Sequence, residues 1–212
     1  MAHIHVLSKS IAERIAAGEV VERPASVVKE LIENAIDAQA RAIAIEIRQG
    51  GVELMRVSDN GSGMLREDAA LAVERFATSK IATAEDLNAI KTLGFRGEAL
   101  PSMASVAQLE ILTRPSDAVE GTRIRVIDSE VESEVAGAPI GTQVTVRELF
   151  YNAPARRKFL KSPLRETELT QKTIVTYALA YPHIALRFIA DGRENLNLPI
   201  ATPLRSAQDA LS

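Results

Sequence analysis

Between Val27 and Ala38 the apolar and polar positions recur at helical spacing. Val27, Val28, Leu31, Ile32, Ala35 and Ile36 share one side, while Glu30, Glu33, Asn34 and Asp37 fall in a narrow arc on the other. Residues 29–38 therefore predict an amphipathic helix, with Pro24 and Ser26 near its start as first-turn or cap residues. The polar side reads plainly as a solvated face. Against that, no Lys stands four residues downstream of either Glu, and Asn34 is a mediocre helix former in mid-helix. Glu30 and Asn34, one turn apart, can instead offer a base and a neutral oxygen ligand to one bound molecule.

Elsewhere the period changes. Ser10-Ile11-Ala12-Glu13 fits a capping box for a short helix over about 11–17, with Gly18 placed to stop it. Ile43, Ile45 and Ile47 alternate with Ala44, Glu46 and Arg48, Gly50-Gly51 makes a turn, and Val52, Leu54, Met55 and Val57 return, which predicts a β-hairpin. Residues 65–76 read as a helix with Ala69, Ala72 and Phe76 on one stripe, followed by a polar loop at 77–80 and a helix start at 83–87. Strands are expected over 106–113, 122–127, 131–135 and 143–147, punctuated by Gly121, Gly137, Pro139 and Gly141. Residues 150–160 carry Arg156-Arg157-Lys158, then Lys161 follows: a solvated basic face, or a contact for a phosphate backbone. A helix over about 165–180 turns Ile174, Tyr177, Ala178 and Tyr181 to one side, and strands at 185–189 and 193–198 close on a tight turn at Asp191-Gly192. Ser206 caps what reads as a helix just beginning, so a fragment of something longer is expected.

Composition narrows the function classes. With 212 residues and 46% hydrophobic content, the chain can bury a sizeable core. A net charge of −3 gives no global attraction to nucleic acid. The absence of Cys excludes disulfides and thiolate metal sites, and His3, His5 and His183 are too scattered for a metal centre. No apolar leader or membrane span is visible, so no membrane partner and a cytoplasmic location are expected.

Asp59 ends the hairpin two residues beyond Val57, facing the same side, just before Asn60-Gly61-Ser62-Gly63. A carboxylate so placed needs donors. It finds them in its own loop as an Asx-turn, or in the amine of a flat ligand such as adenine, which Gly61 and Gly63 let the backbone approach. Guanine would present an acceptor to that acceptor and be rejected. Gly94-x-x-Gly97 before a helix can aim amides at phosphates, with Lys80 as a point charge. Neither of the two common phosphate-loop patterns occurs.

The order of these pieces, an acidic helix with Glu30 and Asn34, then Asp59-x-Gly61-x-Gly63, then Gly94-Phe95-Arg96-Gly97-Glu98-Ala99-Leu100, then Gly141-Thr142, resembles the GHKL ATPase superfamily, which includes gyrase B subunits, the ninety-kilodalton heat-shock chaperones, histidine kinases and MutL. Ile15-Ala16-Ala17-Gly18-Glu19-Val20-Val21-Glu22-Arg23-Pro24, Ala77-Thr78-Ser79-Lys80 and Phe150-Tyr151-Asn152-Ala153-Pro154-Ala155-Arg156-Arg157-Lys158-Phe159-Leu160 are similar to MutL-type mismatch repair proteins, and the likeness covers residues 4 to about 199.

The resemblance implies a two-layer α/β (α+β) sandwich, a mixed β-sheet with helices on one face in the GHKL/Bergerat-type ATPase fold. It implies a domain over residues 1–200, an N-terminal arm over about 1–20, an ATP lid over about 74–100, and a linker or the truncated start of a next domain at 201–212. Carried over by motif, Glu30 would be the general base for ATP hydrolysis and Asn34 the Mg²⁺ ligand, with Asp37 and Ala38 lining the pocket. Asp59 would read adenine, Gly61 and Gly63 would line the base, and Thr142 would support Asp59 or a bridging water. Thr78, Ser79, Lys80, Leu93, Gly94, Phe95, Arg96, Gly97, Glu98, Ala99 and Leu100 would meet the nucleotide from the lid.

The implied activity is slow ATP hydrolysis in a mismatch repair protein. Its implied partners are ATP, a second copy joined through the arm when nucleotide orders the lid, a MutS-like mismatch recognition protein, and DNA held weakly by Arg156, Arg157 and Lys158. The rival readings are a nucleotide-gated dimerisation module without significant turnover and the ATPase domain of a type II topoisomerase. The family's second domain supplies a Lys to the γ-phosphate, and its C-terminal dimerisation or endonuclease region follows; both are expected outside this chain. Two positions depart from the family. Gln39 stands where Gly is usual, and Pro101 sits early in the helix after the lid, removing one donor.

Overall fold

The computed structural model describes residues 18, 20–80, 92–94 and 97–200. Helix α1 (Pro24–Asp37) forms because Pro24 at its first turn loses no needed donor and Val27, Val28, Leu31, Ile32 and Ala35 present one continuous apolar side, all buried. Its C-terminus is a Schellman turn: the Ala40 amide donates to Ala35 and the Gln39 amide to Ile36. Gln39 has a φ of 61°, a left-handed conformation that disfavours a side chain. The turn that usually takes Gly is thus kept with Gln at a local cost. Gln39→Gly is expected to stabilise the fold by about 1 kcal/mol, read as a raised urea midpoint at constant slope.

The strands are β1 (Ala42–Arg48), β2 (Leu54–Asp59), β3 (Gln108–Arg114), β4 (Gly121–Ile127), β5 (Glu130–Ala136), β6 (Gly141–Arg147), β7 (Ala185–Ala190) and β8 (Arg193–Leu198). They form an eight-stranded sheet in the order β5-β4-β3-β6-β2-β1-β7-β8. Among the described residues only β1 and β7 pair in parallel, so the sheet is mixed. Alternation dictates its two faces. Phe188, Ile45, Val57, Val144, Ile111 and Ile124 lie side by side across six strands on the buried face. The opposite face carries Glu46 against Arg56 at 2.9 Å and Glu110 against Arg125 at 3.0 Å, a polar surface facing away from the helices.

On the buried face lie α1, α2 (Arg66–Leu71), α3 (Ala99–Val106) and α5 (Pro163–Ala180), while α4 (Pro154–Phe159) is a short turn of helix with no buried residue. Pro101 falls in the first turn of α3, whose first helical bond runs from Ser102 to Glu98, so its missing donor costs the helix nothing. In α5, Ile174 is buried and Tyr177, Ala178 and Tyr181 pack against the core, as their spacing predicts.

Two expectations differ. The helix expected over 65–76 ends at Leu71, and Phe76 is 73% exposed with φ 64°, because its amide leaves the helix to donate to Gly97 O. Gly18 and Val20 are themselves helical, so Gly18 is not a stop. The helix over 11–17 and the start at 83–87 lie outside the described residues. No helix among the described residues is long and apolar enough to cross a membrane.

Candidate functional site

The site is assembled where α1 ends beside the loop after β2. Asp59 leaves the sheet half-buried, and both its hydrogen bonds fall on Oδ1: from Gly61 N at 2.8 Å and from Thr142 N at 3.3 Å. The Asx-turn therefore exists, and it consumes one oxygen only; Oδ2 keeps its acceptor capacity. Burial pushes the Asp59 carboxyl above the usual carboxylate range, with the two amides pulling it partly back. Thr142 supports Asp59 by its main chain, whereas its hydroxyl meets Thr113 Oγ1 at 3.0 Å. Thr113 also accepts from Met64 N at 3.0 Å and so braces the loop beyond Gly63. Nothing in the chain's periodicity marks Thr113 for this role; only the β3–β6 register places it opposite Thr142.

Glycine is required here by close approach. A Cβ on Gly61 would stand 2.6 Å from Ala38 O, and one on Gly63, whose φ is +67°, only 2.3 Å from Arg114 O. The loop is thereby pressed onto the end of α1, where Ala38 O also accepts from Ser62 N at 2.9 Å. Asn60, in contrast, is structural: its Oδ1 takes the amides of Arg41 and Ala42.

One turn back on α1, Asn34 and Asp37 face Lys80, and Asp37 also faces Leu93 and Gly94. Lys80 Nζ lies 2.5 Å from Asp37 Oδ2 and 3.1 Å from Asn34 Oδ1. Asp37 further accepts from Leu93 N at 3.0 Å and Gly94 N at 3.1 Å. With a side chain only 8% exposed, this carboxylate needs all three donors, and they tie residues 80, 93 and 94 over the helix. A Cβ on Gly94 would come within 3.1 Å of Lys80 Nζ and 3.7 Å of Asn34 Oδ1, so a side chain there would fit only with a small shift of the Lys80 ammonium. The Asn34 oxygen already faces a cationic group, Lys80 Nζ, at hydrogen-bond distance. As a neutral oxygen, Asn34 Oδ1 is of the type that ligates a hard divalent ion whose remaining ligands are water and phosphate, but Lys80 must leave it first.

The other expected lid residues are placed as follows. Thr78 Oγ1 accepts from Lys80 N at 3.2 Å, and Ser79 is exposed. Gly97, with φ +60°, abuts Ala77 O. Glu98 pairs with Arg75 at 3.6 Å, while Ala99 and Leu100 pack against the core at the start of α3. Phe95 and Arg96 lie outside the described residues.

The acidic arc of α1 divides into separate jobs. The side that lacks a downstream Lys is paired from upstream: Lys29 Nζ lies 3.1 Å from Glu30 Oε1 and 3.0 Å from the Glu33 carboxylate. Glu33 is buried and accepts from the Tyr177 hydroxyl of α5, whereas Asn34 and Asp37 meet Lys80 and Glu30 stays partly exposed beside Lys29. In the basic cluster Arg156 turns inward, its guanidinium so close to Gly18 that a Cβ there would lie 2.4 Å from Nη2, leaving Arg157 and Lys158 exposed.

Residues 22–148 match the family of histidine kinase-, DNA gyrase B-, and HSP90-like ATPases. The chain is 53% identical over 212 residues to the DNA mismatch repair protein MutL of Symbiobacterium thermophilum, covering 100% of this chain and 33% of that protein. It is 54% identical over 197 residues to MutL of Trichlorobacter lovleyi, covering 92% and 33%. It thus spans about a third of the length of these relatives. Its fold matches the Aquifex aeolicus MutL ATPase domain complexed with ADP at a TM-score of 0.73 and 35% identity, over 86% of this chain and 66% of that one. The mixed sheet, the glycine-lined loop against α1 and the matched segment together place the chain in the histidine kinase-, DNA gyrase B- and HSP90-like ATPase family, as a nucleotide-binding ATPase domain of the MutL type.

Proposed function

We propose that the chain binds ATP with Mg²⁺, hydrolyses it slowly, and uses the nucleotide to control association with a second copy in DNA mismatch repair. The observation that carries this reading is one continuous wall: Asp59, Gly61 and Ala38 at one end, Asn34, Asp37, Lys80 and Gly94 at the other. Asp59 Oδ2 would accept the adenine amine, and Gly61 would let the base lie flat on the backbone. Asn34 would hold Mg²⁺, and Thr78, Ser79, Lys80 and the backbone at Gly94 and Gly97 would face the phosphates. Mg²⁺, when bound, neutralises phosphate charge. Glu30, one turn before Asn34, would accept the proton of the attacking water. Lys80 would exchange its contacts with Asn34 and Asp37 for phosphate oxygens, which frees the residues it tethers to rearrange.

The remaining partners rest on the likeness to MutL. Nucleotide-dependent self-association would involve the N-terminal arm, a MutS-like mismatch recognition protein would be the upstream partner, and Arg157 and Lys158 would give weak, sequence-independent, salt-sensitive contact with DNA. The test compares ATP with a non-hydrolysable analogue in the full-length protein. Dimer formation by light scattering with the analogue, and slow Mg²⁺-dependent phosphate release with ATP, are expected. Dimerisation without any release would reduce the protein to a nucleotide-gated module, and no response to either would reject the proposal.

A further inference from the structure

Lys29 is a half-exposed lysine between two glutamates, an arrangement that on most helices is a surface ion pair of little worth. Its surroundings are different here. Glu33, one of the two, is buried, and it is fixed from another helix by the Tyr177 hydroxyl. Tyr177 in turn stacks on Tyr181 with ring centroids 6.2 Å apart and packs against the core. A rigid path thus runs from α5 through Tyr177 and Glu33 to the Lys29 ammonium and ends at Glu30 Oε1.

We infer that Lys29, anchored by Glu33 and Tyr177, is a positioning residue that fixes the Glu30 carboxylate; this rests on the reading of Glu30 as the general base. A free Glu side chain samples several rotamers, whereas a base must hold one oxygen on its water. With Oε1 engaged by Lys29, Oε2 is left to face the reacting water. The ammonium also offsets the repulsion between Glu30 and a bound polyphosphate. Burial works against the charge on Lys29, but hydrogen bonds to Glu33 and Glu30 outweigh it and hold its pKa above the ordinary lysine value. Burial and the bond to Glu33 likewise push the Tyr177 phenol up, keeping it a proton donor to Glu33.

The test is made in the full-length protein. Lys29→Met keeps the aliphatic stem and removes the ammonium: kcat for ATP should fall about tenfold while nucleotide affinity, measured by titration, stays unchanged. Lys29→Arg should restore much of the loss. A crystal structure of Lys29→Met with a non-hydrolysable ATP analogue should show Glu30 in more than one rotamer. Tyr177→Phe, one step further along the path, should lower kcat about threefold at constant affinity, and it decides the matter if Lys29→Met fails to fold. Wild-type kcat in both variants, or equal losses of kcat and affinity, overturns the inference. Glu30→Gln separates the two levels: normal turnover there removes the base and this role together, whereas an inactive Glu30→Gln beside a fully active Lys29→Met removes only the positioning role.

Discussion

Replacing Glu30 by Ala is expected to abolish ATP turnover, by about 10²-fold or more, and to leave nucleotide binding in place. The expectation follows from how α1 distributes its polar residues. Asn34 and Asp37 are engaged by Lys80, Leu93 and Gly94, Glu33 is turned into the α1–α5 interface, and Glu30, one turn before Asn34, has a carboxylate 25% exposed and held, among the described residues, only by Lys29. Removing it takes away a proton acceptor without removing any of the contacts that hold Lys80, Leu93 or Gly94 to the helix. Asn34→Ala should do the opposite, weakening Mg²⁺-dependent nucleotide affinity before chemistry is reached. Single-turnover hydrolysis and analogue titration on the two variants separate these outcomes, and undiminished turnover in Glu30→Ala would exclude it as the base.

Asp59→Ala is expected to cost adenine nucleotides about 10²-fold in affinity, because the adenine amine loses its charged acceptor in a half-buried site. GTP should bind the wild type poorly. The same residue sets a pH dependence. Burial raises the Asp59 carboxyl in the folded protein, so the stability its protonated form contributes is present below the unfolded value and lost as pH rises through the folded one. A ligand amine favours the ionised form. Adenine nucleotide affinity should therefore weaken as pH falls through that raised value, an acid limb that Asp59→Ala should lack. A calorimetric titration series across the acid range checks this, and an unchanged profile in the variant would assign the limb to another group.

Much of the site is local in the chain, which is why it is legible there. Glu30, Asn34 and Asp37 are placed by helical period, and Asp59, Gly61 and Gly63 by one turn whose glycines have no room for a Cβ. The apolar alternation of β1 and β2 predicts their pairing, and the register confirms it. Where local pattern competes with a distant partner it misleads: Phe76 fits the stripe of the helix expected over 65–76, but its amide is claimed by Gly97, and the helix ends at Leu71.

The order of motifs along the chain carried the resemblance to the family, while the sheet-forming segments and the helix that carries Glu30 and Asn34 were legible because each depends on periodicity or on a turn a few residues long. Tertiary structure decided what each acidic residue of α1 meets. Glu30 and Glu33 are alike in type and share one arc of α1, and what divides them is Tyr177, 144 positions away from Glu33, reaching over from α5. The same holds for Lys80 on Asp37 and for Thr113 beneath Thr142. Hydrogen-bond partners brought together by packing leave no period in the sequence.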